Sequence, residues 1–311
     1  MFLNIAYITK VNIASLNGSE GTGGNLTVMK KISNYNGDEF AYVSGQALRR
    51  YLKETLMQLG ETICSVDKDG NPTFKEKDKF IDLNKSIDDK LKKKMFEEVC
   101  DLDLFGYMLP KGDRRWSPVK VTPLVSLLPY KGEYDYLTRK KKVAREDAKN
   151  GNIVQIEIDT MNFMRGNIMV NVDHIGCDID EYTYESSKIL EDNKKNKRVN
   201  ILLDAIKNFN GGAKQARNLE DISPKFIVIA KQKTGNPFLL NALSVDKDGN
   251  INIENIKNAI EDNDVDEYIV GIAKENIFNN TDEVIKELNA VSIKEAINRY
   301  KLDIETKDES N

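Results

Sequence analysis

Three stretches of the chain carry residue types suited to holding an anion. The first is Tyr42-Val-Ser-Gly-Gln-Ala-Leu-Arg-Arg-Tyr51. It runs from an apolar strand signal into a helix that starts at Ser44. The first N–H groups of a helix lack internal partners and the macrodipole adds positive potential, so Ser44, Gly45 and Gln46 offer donors to a phosphate. Arg49 and Arg50 follow in the next turn, where a guanidinium reaches a phosphate through two parallel hydrogen bonds. The plainer alternative is a capped helix with a solvated face. The second stretch is Gly211-Gly-Ala-Lys-Gln-Ala-Arg-Asn218. Paired glycines let backbone approach a ligand closely, and Lys214, Gln215 and Arg217 add phosphate and hydroxyl contacts. The alternative is a flexible connection with solvated charges. The third is Arg114-Arg-Trp116, Tyr130-Lys-Gly-Glu-Tyr-Asp-Tyr136 and Thr138-Arg-Lys-Lys-Lys142. Cations interleaved with aromatics, among them Arg115, Trp116 and Arg139, suit single-stranded nucleic acid, with rings on bases and charges on phosphates. A solvated basic loop over a packed aromatic cluster is the alternative. A Gly-rich loop at 14–26 has no lysine and so is not a P-loop. It reads as a backbone-lined contact surface or a disordered segment. Anion sites this far apart in sequence suit an extended polyanion better than a mononucleotide.

Other chemistries are set aside. His174 is the sole histidine, which excludes mechanisms needing two imidazoles and His-rich metal sites. It lies in Gly166–Ile175, whose alternation reads as a strand carrying a packed or solvated histidine. Cys64, Cys100 and Cys177 are scattered, with no CxxC, so neither a disulfide framework nor a zinc site is expected, and the compartment reads as reducing and cytoplasmic. No GxxxxGK[ST] is present, and no GxGxxG opens a helix after a strand. The string Ser65-Val-Asp-Lys-Asp-Gly-Asn71 recurs as Ser244–Asn250 and suggests a calcium loop. However, Ser occupies the first ligand position, Pro72 interrupts one copy and Asn255 stands where the other needs a bidentate Glu, so hairpin turns are the better reading. No catalytic residue, metal or cofactor is expected. No apolar run approaches the ~18 residues of a membrane span, and the first residues read as a strand rather than a signal peptide.

The elements that must position these groups are mixed. Strand signals occupy 2–11, 39–43, 119–128, 153–159 and 226–230. A helix is expected from Ser44 to Leu59 on the stripe Leu48, Leu52, Leu56 and Leu59, ending at Gly60. Residues 61–100 read as an inserted arm with a turn at Asp69-Gly70 and a lysine-rich helix near 86–99. Helical patterns fill about 178–209, and 238–245 reads as β-rich. The tail reads as helices at 252–262, 281–289 and 293–300, with a strand at 268–272. Without steady βα alternation, the fold class is α+β with an antiparallel sheet. The 311 residues carry 46 basic and 50 acidic side chains, a net of −4, but the charge is segregated. Lys111–Lys149 holds 11 basic against 5 acidic residues, and Ser244–Asn311 holds 8 against 17. Such a chain has two different surfaces.

Taken in order, Ala14-Ser-Leu-Asn17, Val43–Arg50, Asp101-Leu-Asp-Leu-Phe-Gly106, Ser117-Pro-Val-Lys-Val-Thr-Pro123, Asp135-Tyr-Leu-Thr-Arg139 and Gly212–Arg217 resemble the backbone subunit of type I CRISPR Cascade complexes, in the DevR-type branch of type I-B systems. The resemblance spans about residues 3–232. It implies an RNA-recognition-like, ferredoxin-like antiparallel palm over 1–245, with an inserted helical finger (about 61–118) and a protruding thumb (about 125–165). Residues 246–311 are then an acidic, mainly helical extension packed on the palm. The resemblance also implies a non-enzymatic subunit that polymerises head-to-tail along crRNA with other Cascade subunits, and meets target DNA through the guide. Under it, Asn17, Ser44, Gln46, Arg49, Arg50, Lys214, Gln215 and Arg217 contact guide phosphates, and Arg115, Trp116 and Arg139 belong to the thumb base. The alternatives are a metal-dependent ribonuclease, for which Glu20, Asp38 and Glu39 are the available carboxylates, and a stand-alone regulator.

Overall fold

The computed structural model describes residues 1–19, 26–68, 72–76, 79–82, 88–108, 114–138, 153–180, 183–213 and 215–304. Strand β1 (Phe2–Ala14) sends Leu3, Ile5 and Tyr7 into one core and Ala6 and Ile8 into a second, as a side-chain period of two requires of a strand covered on both faces. The hairpin of β2 (Lys31–Ser33) and β3 (Glu39–Val43) leads into α1 (Gly45–Gln58). Ser44 caps α1 by accepting from the Ala47 N–H, and Leu48, Leu52 and Leu56 are buried. Gly60, at φ +95°, ends it as the Glu61 N–H returns to the Leu56 carbonyl. Then come α2 (Asp89–Glu98), α3 (Cys100–Phe105), β4 (Val119–Val121), β5 (Leu124–Ser126), β6 (Glu133–Thr138) and the 19-residue β7 (Ile153–Asn171). A hairpin of β8 (Cys177–Ile179) and β9 (Ser186–Lys188) precedes α4 (Asp192–Lys207). The chain continues through β10 (Phe226–Gln232), α5 (Ile253–Glu261), β11 (Val265–Ile272), α6 (Thr281–Leu288) and α7 (Ile293–Arg299).

The fold is mixed α+β. Among the described residues the main sheet runs β11-β10-β1-β7-β5-β3-β2, every neighbouring pair antiparallel. Strand β7 organises it. Its later part pairs with β1, from Leu3↔Val170 to Ala14↔Asp159, and its first part pairs with β6, from Glu133↔Ile158 to Thr138↔Ile153. One strand therefore continues out of the sheet into an arm, where it pairs antiparallel with β6 and, through Gln155↔Leu26 and Ile156↔Thr27, parallel with the Leu26–Met29 strand. Helices α1, α4 and α7 cover one face, and α5 and α6 cover the other. The last strand, β11, lies on the β10 edge, so the acidic segment completes the sheet. No helix among the described residues is long and apolar enough to cross a membrane.

Several expectations are corrected. β7 ends at Asn171, and His174 sits in a short 3-10 turn, Val172–His174, not on a strand. Burial first, and then the Arg115 charge, hold its imidazole below the ordinary pKa. The helix expected over 178–209 begins only at Asp192, because Cys177–Ile179 and Ser186–Lys188 pair as the β8–β9 hairpin. The 238–245 run is mostly not a strand: it opens with a 3-10 turn, Phe238–Asn241, its residues Leu239, Ala242 and Leu243 are buried at helical spacing, and only Val245 makes a β-bridge, to Ile251. The second repeat is a turn, with the Asp246 carboxylate accepting from the N–H groups of Asp248 and Asn250 at 2.9 Å each. The Asp69-Gly70 turn lies outside the described residues.

Asp103 locks the insertion to the rest. Its carboxylate, fully buried, accepts from the guanidinium of Arg115, from Arg198 Nη1 at 3.0 Å and from the Gly176 N–H at 3.0 Å. Arg115 also donates to the carbonyls of Asp103, His174 and Cys177 and lies 4.5 Å from the centre of the Phe96 ring. Asp103→Asn leaves two buried guanidinium groups short of a counter-charge, so a loss of about 3–5 kcal/mol is expected in urea denaturation. Asp192→Asn, which breaks the exposed pair with Lys188, is expected to change little. Equal effects of the two would show that the buried node does not carry the fold.

Candidate nucleic-acid interface

Three segments far apart in sequence meet beyond the end of β1. Ser15 bridges to Ala213. The Leu16 carbonyl accepts from the Tyr51 hydroxyl at 2.6 Å and from the Ala213 N–H at 3.3 Å. The Asn17 carbonyl accepts from the Lys30 N–H at 3.0 Å, and its side-chain amide donates to Ser44 Oγ at 3.5 Å. The first loop, the start of α1 and the Gly-Gly loop are thus gathered around two residues.

Glycine is required at the closest approaches. Gly211 sits at φ +145°, and a Cβ there would lie 2.4 Å from Cγ of Tyr51. Gly212, at φ +125°, would place one 3.0 Å from Leu16. Gly45 passes Val121 so closely that a Cβ would lie 2.7 Å from its carbonyl oxygen. The side-chain amide of Gln215 donates to the Gly211 carbonyl and steadies the loop.

Of the expected cations among the described residues, Arg50 is the open one. Its side chain is 77% exposed and held at 2.9 Å by Glu54, whose hydrogen bond raises the guanidinium pKa. Arg49 is half-buried, donates to the Phe105 carbonyl and lies 5.5 Å from the centre of that ring. Burial lowers its pKa, and Asp101 opposes the shift. Gln46 is exposed, and with Arg49 and Arg50 it lines a groove of about 600 Å³ whose far wall is Ile63–Val66. Lys53 in the same groove pairs with buried Asp101 at 2.7 Å. No acidic residue occupies the first turn of α1.

Arg115 is corrected. Its side chain is 1% exposed and is spent on Asp103 and backbone carbonyls, so it cannot meet a ligand. The neighbours point the other way: Trp116 is 57% exposed, with the Arg114 guanidinium 5.3 Å from its ring centre. Alternation along the Arg114–Arg115 strand decides which arginine faces out. Tyr134 and Tyr136, two apart on β6, are 46% and 63% exposed. Arg139 and Lys214 lie outside the described residues, as does the side chain of Arg217. Tyr51 was not singled out from sequence. Its signal is the spacing Leu48, Tyr51, Leu52, which turns it to the buried side of α1. Glu20 lies outside the described residues, Asp38 closes the β2–β3 turn with Asn34, and Glu39 pairs with Lys31 at 3.5 Å. Among the described residues, no group of three His, Cys, Asp or Glu side chains could hold a metal.

The fold and this arrangement define a mixed α+β protein that gathers the start of a helix, the first loop and a glycine loop, with an exposed arginine on that helix. The chain belongs to the CRISPR-associated negative auto-regulator DevR/Csa2 family, whose model matches residues 5–251. Two solved structures share the fold. A chain of a "CRISPR RNA-guided surveillance complex, pre-nicking" has TM-score 0.57 and 15% identity, covering 89% of this chain and 93% of that one. A chain of a "CRISPR RNA-guided surveillance complex" has TM-score 0.57 and 16% identity, covering 96% of this chain and 98% of that one. No curated protein matches the sequence.

The gathered loops make a stability prediction. Gly211→Ala forces a side chain into a left-handed position already filled by Tyr51, and is expected to cost about 1–3 kcal/mol. Tyr51→Phe removes one hydrogen bond and is expected to cost about 0.5–1.5 kcal/mol. Urea denaturation of both variants checks this, and a neutral Gly211→Ala would show that the loop is not held against the ring.

Proposed function

We propose that this chain is a guide-RNA-binding backbone subunit of a CRISPR surveillance complex, without catalytic activity of its own. The observation that carries the reading is the convergence of Asn17, Ser44 and the Gly211–Ala213 loop, with Arg50 exposed on the helix that Ser44 caps. Backbone amides, a serine, an asparagine and a point charge hold ribose-phosphate without reading bases, which suits a subunit that serves any guide and leaves sequence recognition to pairing. In this reading the main sheet is an RNA-recognition-like palm, residues 61–118 are the finger, and the β6–β7 arm within about 125–165 is the thumb, with exposed Tyr134 and Tyr136 available for stacking on bases. Lys214, Arg217 and Arg139 add cations, and copies join head-to-tail with other subunits of the complex. Target DNA is met through the guide.

Arg50→Ala is expected to weaken RNA binding and to lower the slope of log affinity against log salt by about 0.7, the value for one lost single-strand phosphate contact. Lys214→Ala is expected to weaken binding equally for unrelated guide sequences. Fluorescence anisotropy from low to high salt checks both, and an unchanged slope removes these residues from the site. Incubation with complementary RNA and Mg²⁺ is expected to leave the RNA intact. Regularly spaced cleavage products would establish a nuclease instead, and duplex-DNA binding without guide RNA would establish a regulator.

A further inference from the structure

Helix α4 separates two surfaces of opposite character, an aromatic turn flanked by acidic residues and a lysine-rimmed cavity. At its N-terminal end, the β8–β9 hairpin carries a loop of sequence Asp180-Glu-Tyr-Thr-Tyr-Glu185. Tyr184 in that loop is 73% exposed and sits at φ +58°, a costly conformation for a bulky residue. Local bonds hold it there. Its N–H donates to the Asp180 carbonyl at 3.0 Å, the Asp180 N–H donates to the Glu185 carbonyl at 2.9 Å, and the Asp180 carboxylate accepts from the Thr183 N–H at 2.8 Å. Local bonds therefore fix the Tyr184 backbone between the acidic residues Asp180 and Glu185. An immobilised aromatic loses little freedom on burial in a partner.

At the C-terminal end of α4 lies a cavity of about 650 Å³. Its floor includes Ile272, Ile277 and Ile293. Lys207, Lys225, Lys274 and Lys294 stand around it, with Glu275 the one acidic residue of the lining. Lys207 is paired with Asp204 and Lys225 with Asp221, while Lys274 and Lys294 have no ion partner among the described residues. An apolar floor under a charged rim is the anatomy of a protein contact.

The 16 residues of α4 make it about 24 Å long, so the hairpin of one copy cannot turn back into its own cavity. Two complementary surfaces at opposite ends of one rigid element make a contact between copies that repeats without closing on itself. We propose that the Tyr184 hairpin of one copy seats in the lysine-rimmed cavity of the next. This rests on the head-to-tail assembly of the preceding reading and gives that assembly a surface.

Two variants test it. Tyr184→Gly removes the ring and relieves the backbone, so the fold is retained. Lys274→Glu with Lys294→Glu reverses the open charges at exposed positions. In sedimentation velocity of the full chain, with and without guide RNA, each variant alone is expected to self-associate at least about tenfold more weakly than wild type. Mixed together they are expected to form a dimer and stop, because one copy keeps the cavity and the other keeps the hairpin. Wild-type assembly by either variant, no dimer in the mixture, or a wild-type chain that stays monomeric under both conditions would overturn the proposal. So would a lysine variant that assembles normally but loses RNA affinity, which would make the cavity a nucleic-acid site. The RNA affinity of Arg50→Ala is a separate reading: its failure would reject the guide-binding site and leave the assembly result standing.

Discussion

The Leu16 carbonyl is the small point on which the candidate interface hangs. A backbone carbonyl has two lone pairs, and here they meet the Tyr51 hydroxyl and the Ala213 N–H. One donor comes from the second turn of α1 and the other from the glycine loop more than 150 residues later in the chain. Because the Tyr51 ring fills the space a Gly211 side chain would need, the same tyrosine sets both a hydrogen bond and a closest approach. The start of α1 is in turn fixed by Ser44, which caps the helix and receives the Asn17 amide. The donors left facing outward are then held by parts that are mostly satisfied within the protein.

That local arrangement needs a stiff frame, and two features supply it. Strand β10 alternates between two cores, with Ile227 and Ile229 on one side and Phe226, Val228 and Ala230 on the other. The sheet is therefore clamped between helix layers at β1 and β10. On the insertion side the clamp is ionic. Asp103 joins Arg115, Arg198 and Gly176, so α3, the Arg114–Arg115 strand, the β8–β9 hairpin and α4 move as one body. A buried node of this kind is costly to form but intolerant of any alternative partner, which fixes where the hairpin and α4 sit relative to each other.

The charge distribution follows the same division. The acidic C-terminal segment is not an appended tail. It adds β11 to the sheet and packs α5 and α6 on one face and α7 on the other.

By itself the sequence determined the elements whose signals are local. The α1 stripe, its Ser44 cap and Gly60 stop, the strands β1 and β10, the tail helices and the antiparallel α+β class were all legible, because periodicity and capping act over a few residues. The family resemblance was legible for the same reason, in short strings set by local turns. What only the tertiary structure decided was direction and partnership. Arg114 and Arg115 are adjacent and chemically identical, yet strand alternation sends one to solvent and the other onto Asp103. His174 lies in a 3-10 turn and its carbonyl accepts from Arg115, and the strands 177–179 and 186–188 pair with each other where a helix was expected. Tyr51 became a hinge of the site only because a glycine loop from far along the chain arrives against its ring, and no local pattern encodes contacts of that sequence separation.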